Sequence, residues 1–327
     1  MKKLLAVSVL ALALVGCNEK SAKEVYNETV NGVVLIQNKI DATSGGSGTG
    51  FILEDNQIVT NHHVIAGQGQ IKVFSSKSGK EYEAKVVYAD PISDIAVIRL
   101  SDWEMFEATE NPVNLSLGNS NMTKPGDRVI VIGHPWGLTW TISEGIISGK
   151  HRRAGPNPKF MDQVDANLFQ GNSGGPIFDV NGRVVCVSTM MLALEGGSYG
   201  FCVPSNLVKK VLNDFNALGK VHWKVINVSA DLTDDGQSVI VRELEPDGAA
   251  AKAGIQQGDV IIGITTPKNK ANVKLVSNPN DLITELAMLN GDLEEVTLFI
   301  DRKGEKMFVN IKTNHKLSSD YTPDAGK

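Results

Sequence analysis

Between about residues 30 and 204 the chain is a succession of short apolar, β-branched runs separated by turn residues. Val33-Val34-Leu35-Ile36, Ile71-Lys72-Val73-Phe74 and residues 95–100 and 129–132 are examples, and Gly79, Gly126 and the pair Asn181-Gly182 punctuate them. Asn181-Gly182 stands between residues 176–178 and 183–187; that dipeptide between two strand-like runs signals a tight hairpin. Many short strands at this spacing confine the segment to a barrel or a sandwich. Its roughly 175 residues leave room for two small barrels side by side. The first helical pattern comes afterwards. Ser205 follows Pro204 as an N-cap, Val208, Val211, Leu212, Phe215 and Leu218 keep helical spacing, and Gly219 suits the stop.

A second unit follows, with the boundary expected near residues 219–223. Val239-Ile240-Val241 and Val260-Ile261-Ile262 read as strands, and residues 249–253 as a short helix stopped by Gly254. Leu282, Ile283, Leu286 and Leu289 give a helix face ended by Gly291. Residues 296–300 and 307–311 flank a turn at Arg302-Lys303-Gly304. Residues 268–280 read as a polar loop, and the chain is expected to fray from Asn314 onward.

The chain opens with a leader. Met1-Lys2-Lys3 precedes an apolar run over residues 4–15, too short to span a bilayer and right for a secretory signal. The run ends Leu14-Val15-Gly16-Cys17, which resembles a bacterial lipobox, in which the leader is removed before the Cys and the sulfur takes a diacylglyceryl group. This implies a signal peptide over 1–16, a lipidated Cys17 with a polar tether over 17–29, a first domain over 30–219, a second over 220–313 and a polar tail over 314–327. The implied location is extracytoplasmic and membrane-anchored. With 42% hydrophobic and 21% charged residues, the composition excludes wholesale disorder. A net charge of −5 lacks the basic surplus of a nucleic-acid binder, so no such partner is expected.

The chemistry centres on Gly171-Asn172-Ser173-Gly174-Gly175-Pro176. A serine hydroxyl needs an adjacent base and donors for the oxyanion it generates. Glycines on both sides let the backbone turn tightly, so Gly171, Asn172 and Ser173 are candidates for an oxyanion hole. The base is expected at His63, in Thr60-Asn61-His62-His63-Val64, at the end of an apolar strand. Neighbouring side chains on an extended segment point opposite ways, which leaves His62 as a turn residue. Asp94, immediately before the run 95–100, is the candidate carboxylate to orient the base, and Asp90, followed by Pro91, reads as turn chemistry. No metal-binding spacing occurs, so neither metal nor cofactor is expected. The order His63, Asp94, Ser173 is that of the chymotrypsin-like fold.

These three segments resemble the catalytic segments of the HtrA (Deg) serine proteases. Ser47-Gly48-Thr49-Gly50-Phe51, Ile132-Gly133-His134-Pro135-Trp136-Gly137 and Gly200-Phe201-Cys202-Val203-Pro204-Ser205-Asn206 extend the likeness. Residues 249–261 resemble the most recognisable stretch of a PDZ domain. The resemblance implies an all-β, chymotrypsin-like double-barrel protease domain followed by a small α+β PDZ domain. It also implies a homotrimer that cuts unfolded or damaged envelope proteins after small aliphatic residues. Leu168, Met190 and Met191 are candidate pocket walls. A single PDZ domain and a tether also suit a protease with one membrane partner, and a vestigial site would leave a peptide-binding holdase. A C-terminal peptide is the implied PDZ ligand, although the expected carboxylate loop near residues 223–228 reads Trp-Lys-Val-Ile-Asn-Val, without glycine. Arg152 matches the arginine of the family's regulatory loop. Cys186 and Cys202 lie on two strands expected to pair. Export permits a disulfide between them, worth about 3 kcal/mol for a loop of this length. Directly opposed positions would strain it, so two free buried thiols are favoured and the disulfide is left open.

Overall fold

A computed structural model describes residues 19–41, 44–67, 69–154, 159–194 and 197–317. The expected signal peptide, Cys17 and the tail beyond residue 317 lie outside the described residues. Strands β1 (Val33–Lys39), β2 (Gly45–Ile52), β3 (Ile58–Asn61), β4 (Gln70–Phe74), β5 (Glu81–Asp90) and β6 (Ile95–Leu100) close into a barrel in the order β1-β2-β3-β6-β5-β4. Strands β7 (Arg128–Gly133), β8 (Thr141–Ala154), β9 (Lys159–Val164), β10 (Pro176–Phe178), β11 (Val184–Leu194) and β12 (Gly197–Pro204) close a second, in the order β10-β11-β12-β9-β8-β7. Closure leaves no free sheet edge, which short strands of this composition would otherwise expose.

Each barrel fills its interior with alternate β-branched residues. Ile36, Ile52, Ile58, Val73 and Ile98 are fully buried in the first, and Val129, Ile147, Val164 and Ile177 are buried in the second. A third cluster joins the barrels. Phe51, Val59 and Ile95 of the first meet Ile130, Ile132 and Phe178 of the second, together with Leu207, Val208 and Val211 of the helix Ser205–Leu218. The barrels therefore share apolar surface, and residues at their strand ends are held in a fixed relation.

Three α-helices precede that one among the described residues. Helix α1 (Ala22–Thr29) occupies most of the segment expected as a tether. Ser21 and Glu24 form a capping box, and Val25 is fully buried against the shared cluster. One buried valine in a polar octapeptide gives no apolar stripe, so composition alone suggested a linker. Helix α2 (His62–Ile65) is a single turn, and α3 (Trp103–Glu110), capped by Asp102, buries Phe106 edge-on against Tyr82 at 4.8 Å. The helix Ser205–Leu218 is α4, and its stop at Gly219 takes a left-handed φ of 71°.

The second unit holds β14 (Val228–Leu232), β15 (Val239–Leu244), β16 (Val260–Thr265), β17 (Lys274–Leu275), β18 (Glu295–Arg302) and β19 (Glu305–Lys312), in the order β14-β15-β16-β18-β19 with β17 on β16. Helices α5 (Ala249–Lys252) and α6 (Pro279–Ala287) cover a core of Val239, Ile261, Leu282, Val296, Leu298, Ile300 and Ile311. Two further strands form its root: β13 (His222–Val225) pairs antiparallel with β20 (Asn314–Leu317). Residues 314–317 are thus a strand, not the start of a frayed tail. Backbone hydrogen bonds to β13 hold them, and those leave no apolar signature in a sequence. No helix among the described residues is long and apolar enough to cross a membrane.

Cys186 and Cys202 form a disulfide, the alternative the sequence left open rather than the free thiols it favoured, with Cα atoms 5.6 Å apart. The register explains it: Cys186 faces Pro204 and Cys202 faces Ser188, so the cysteines are diagonal neighbours and not an opposed pair. The bond closes a loop with a sequence separation of 16, which in chain-entropy terms stabilises by about 3 kcal/mol. The double variant Cys186→Ala/Cys202→Ala is therefore expected to unfold about 6–12 °C lower in a thermal melt. The mass of the unreduced wild-type chain should rise by that of two hydrogen atoms on reduction, the reductant supplying two electrons with the two protons.

Candidate active site

Asp94 ends the turn between β5 and β6 and is 1% exposed. Its φ of 62° is left-handed, an uncommon conformation for a residue other than glycine. The backbone is held there from outside: its carbonyl accepts hydrogen bonds from the N–H of His62 (3.0 Å) and from Asn61 Nδ2 (2.9 Å). Both carboxylate oxygens then meet His63. Oδ1 accepts the backbone N–H at 3.0 Å, and Oδ2 lies 2.8 Å from Nδ1. A carboxylate only accepts, so Nδ1 carries the proton and Nε2 is left with its lone pair. His63 does not sit on a strand, as expected, but in α2, whose Val64 and Ile65 anchor the turn in the first barrel. The His63 side chain stays 47% exposed, so its free nitrogen can meet a substrate.

Ser173 lies between two glycines that no other residue could replace without moving the backbone. Gly171 has φ 104°, and a Cβ there would come within 2.2 Å of the His134 carbonyl. Gly174 has φ 84°, and a Cβ would meet the Thr49 carbonyl and Thr60 Oγ1 at 2.2 Å. The carbonyl of Gln170 accepts from Trp136 N (2.8 Å) and that of Asn172 from Gly175 N (2.9 Å). No peptide bond among the described residues is cis. The N–H groups of Gly171 and Ser173 therefore point opposite to those carbonyls. The N–H of Asn172, the third residue expected in the hole, donates instead to the Phe169 carbonyl at 3.0 Å. Asn172 is thereby removed from the donor set, because one N–H cannot close this turn and face a ligand together. Ser173 Oγ donates to the Thr189 carbonyl at 3.2 Å.

Two residues missed at the sequence level brace this turn. Thr49 reaches from the first barrel: its N–H donates to the Ser173 carbonyl (2.8 Å) and its hydroxyl to the Gly171 carbonyl (2.7 Å). That hydroxyl has one proton, so it accepts from His134 Nδ1, 2.9 Å away. His134 is 1% exposed and packs edge-on to Trp140 at 5.1 Å. The Ser47–Phe51 segment was legible as a glycine-rich strand, yet nothing in it marks the hydroxyl of Thr49 as the link between barrels.

The candidate pocket residues lie around strands β11 and β12. Leu168 is buried, Met190 packs on Met161 and Phe201, and Met191 pairs with Gly200. A Cβ at Gly200 would lie 2.8 Å from Leu168 Cδ1, so that glycine keeps the space beside Leu168 open. Arg152 lies farther off. Its guanidinium covers Gly149, and with Lys150 and His151 it lines a cleft of about 620 Å³ against Leu232 and residues 278–280 of the second unit. His151 Nδ1 stands 3.5 Å from Asp281 Oδ1 across that cleft.

Burial holds the His134 imidazole well below its ordinary 6.5, at about 3. The unfolded chain protonates this group below about pH 6.5 and the folded chain does not, so its contribution is complete above pH 6.5. It is lost as pH falls toward 3, at about 1.4 kcal/mol per pH unit. His134→Asn should remove that slope. In urea titrations, the stability difference between wild type and variant is expected to shrink by about 3 kcal/mol between pH 7 and pH 4.5. An unchanged difference would mean that His134 titrates alike in both states.

Residues 48–187 match the trypsin-like peptidase domain family and residues 225–300 the PDZ domain family. The chain is 34% identical over 281 residues to a Brucella suis protein described as a probable periplasmic serine endoprotease DegP-like, covering 81% of this chain and 52% of the relative. A Chlamydia trachomatis protein of the same description is 36% identical over 230 residues, covering 66% of this chain and 45% of that one. The chain thus spans about half the length of the curated relatives it matches. Among solved structures, the HtrA-type protease AlgW with a tripeptide superposes with a TM-score of 0.72 at 25% identity, over 94% of this chain and all of that one. A serine endoprotease from Yersinia pestis superposes at 0.64 and 28% identity, over 91% and 98%. Two closed barrels, a PDZ sheet and this likeness to proteins of the same layout place the chain in the HtrA family of trypsin-like serine proteases with a PDZ domain.

Proposed function

We propose that the chain is an extracytoplasmic serine endopeptidase that cuts unfolded or damaged envelope proteins, without metal or cofactor. The observation that carries the reading is the two-point hold of Asp94 on His63, which fixes both the ring and its tautomer. In the reaction, the Ser173 hydroxyl leaves the Thr189 carbonyl and turns to His63 Nε2. Oγ bonds to the peptide carbonyl carbon while its proton passes to Nε2. The carbonyl oxygen becomes an oxyanion between the N–H groups of Gly171 and Ser173. His63 returns the proton to the leaving amine as the C–N bond breaks, and water repeats the sequence on the acyl-enzyme. Leu168, Met190 and Met191 make an apolar wall suited to small aliphatic side chains.

The second unit supports peptide capture. Strand β14 is an edge strand and α6 lies across from it, the arrangement in which an extended peptide adds to a sheet. Asn227, at φ 61°, supplies the left-handed turn before β14 where a glycine was expected. Arg152 and His151 line the cleft to α6, which supports a role for them in sensing occupancy of that groove. Lipidation at Cys17 follows from the leader, and mass spectrometry of the mature N-terminus checks it. The relatives described as periplasmic agree with export. A homotrimer is the family's assembly and is proposed here on that ground alone.

The test is digestion of an unfolded protein such as β-casein by the full chain and by Ser173→Ala. Wild type is expected to cut, and the variant to be slower by at least about 10³-fold. Equal cleavage by both would refute the reading. Tight casein binding without cleavage by wild type would favour the holdase.

A further inference from the structure

The left-handed backbone of Asp94 is a conformation that costs about 1–3 kcal/mol and persists only where its surroundings impose it. On the upstream side those surroundings converge on Asp90, whose carboxylate is fully buried. Asp90 Oδ2 accepts the N–H (2.9 Å) and hydroxyl (2.5 Å) of Ser93, the residue before Asp94, and Oδ1 is 3.4 Å from the N–H of Ile92. A buried carboxylate stays in place only while donors surround it. One donor comes from outside the protease barrels: Trp223 Nε1 reaches Asp90 Oδ1 at 3.3 Å.

Trp223 is on β13, at the root of the second unit, and is 4% exposed within the cluster that joins the barrels. It is held in turn by charge. Lys210 of α4 sets its ammonium 4.5 Å from the indole centroid, pairs with Asp214 at 2.5 Å and donates to the His222 carbonyl at 2.7 Å. Asp214 accepts the N–H groups of His222 (3.1 Å) and of Gly291 (3.0 Å), and Lys224 donates to the Gly291 carbonyl at 2.7 Å. Gly291 follows α6 in the second unit, and a Cβ there would strike Asp214 Oδ2 at 2.7 Å. The Asp90 carboxylate also acts, through its charge, on the Lys210 ammonium. Unbroken contacts therefore run from the turn after α6, through Asp214, Lys210, Trp223 and Asp90, to Ser93 and Asp94.

We infer that Trp223 is a positioning residue for the Asp94–His63 pair, acting through Asp90, so that the root of the second unit helps set the geometry of the general base. The inference rests on the protease reading above for its kinetic consequence but not for its structural one. Packing alone would be met by any large ring at position 223, whereas this role needs the indole N–H.

The test compares the full chain with Trp223→Phe and, as a closer isostere, with Trp223 replaced by benzothienylalanine, which changes only the N–H. The first readout is the downfield proton resonance of His63 Nδ1–H, assigned by its loss in His63→Ala and recorded without substrate. The second is hydrolysis of a short chromogenic peptide. In both variants the resonance is expected to move upfield and broaden. The kcat should fall about tenfold with KM within about twofold, a fraction of the ~10⁴ lost when a triad acid becomes an amide. An unchanged resonance and kcat in a folded variant, whatever its melting temperature, would reduce Trp223 to packing and overturn the inference. Should wild type hydrolyse nothing, the protease reading fails, and the resonance alone still decides whether Trp223 positions His63.

Discussion

One buried carboxylate organises the cleft. Asp94 spends both oxygens on His63, one on the backbone N–H and one on the ring. The single helical turn α2 is thereby tied to the start of β6, and the imidazole has one orientation and one tautomer. The arrangement depends on a backbone conformation that Asp94 would not choose in isolation. Asn61, His62, Ser93 and Asp90 supply the hydrogen bonds that impose it. The apolar packing of the first barrel, through Val64, Ile65 and Ile58, keeps those donors and acceptors in register.

The second barrel carries the Ser173 turn, but it does not hold it alone. Thr49, on β2, bonds the carbonyls of Ser173 and Gly171 and receives His134, so the serine turn is braced from the opposite barrel. The interface between the barrels is thus polar at the cleft and apolar behind it, where Phe51, Ile132 and Phe178 pack. A movement between barrels would disturb the His63 turn and the Ser173 turn together, because both rest on the shared core and the Thr49 bridge.

Much of this was legible in the residues. Alternating β-branched runs with Asn-Gly and single-glycine breaks pointed to closed barrels, and of the three residues singled out, the fold joins His63 and Asp94 by two hydrogen bonds. What escaped has common causes. Helix α1 hides because a single buried valine leaves no stripe, although Ser21 and Glu24 carried a capping signal. Strand β20 hides because backbone hydrogen bonds have no composition. The Cys186–Cys202 bond hides because the Ser188–Met190 bulge and diagonal register cannot be read from one strand at a time. Asn172 was grouped with the oxyanion donors because a glycine-rich motif says which residues turn, not which N–H each turn consumes. Thr49 and Trp223 act through contacts between segments far apart in the chain, and no local pattern records such contacts.

The central claim is that Ser173 is a nucleophile activated by a histidine that Asp94 holds. It is tested most directly by reacting the native chain with a fluorophosphonate and locating the adduct by mass spectrometry. The account predicts one adduct per chain, on Ser173, formed at least about 10²-fold more slowly in Asp94→Asn, whose amide cannot accept from both the N–H and the ring in the same way. A chain that takes up no phosphonate, or takes it up on another residue at a rate indifferent to Asp94, would contradict it.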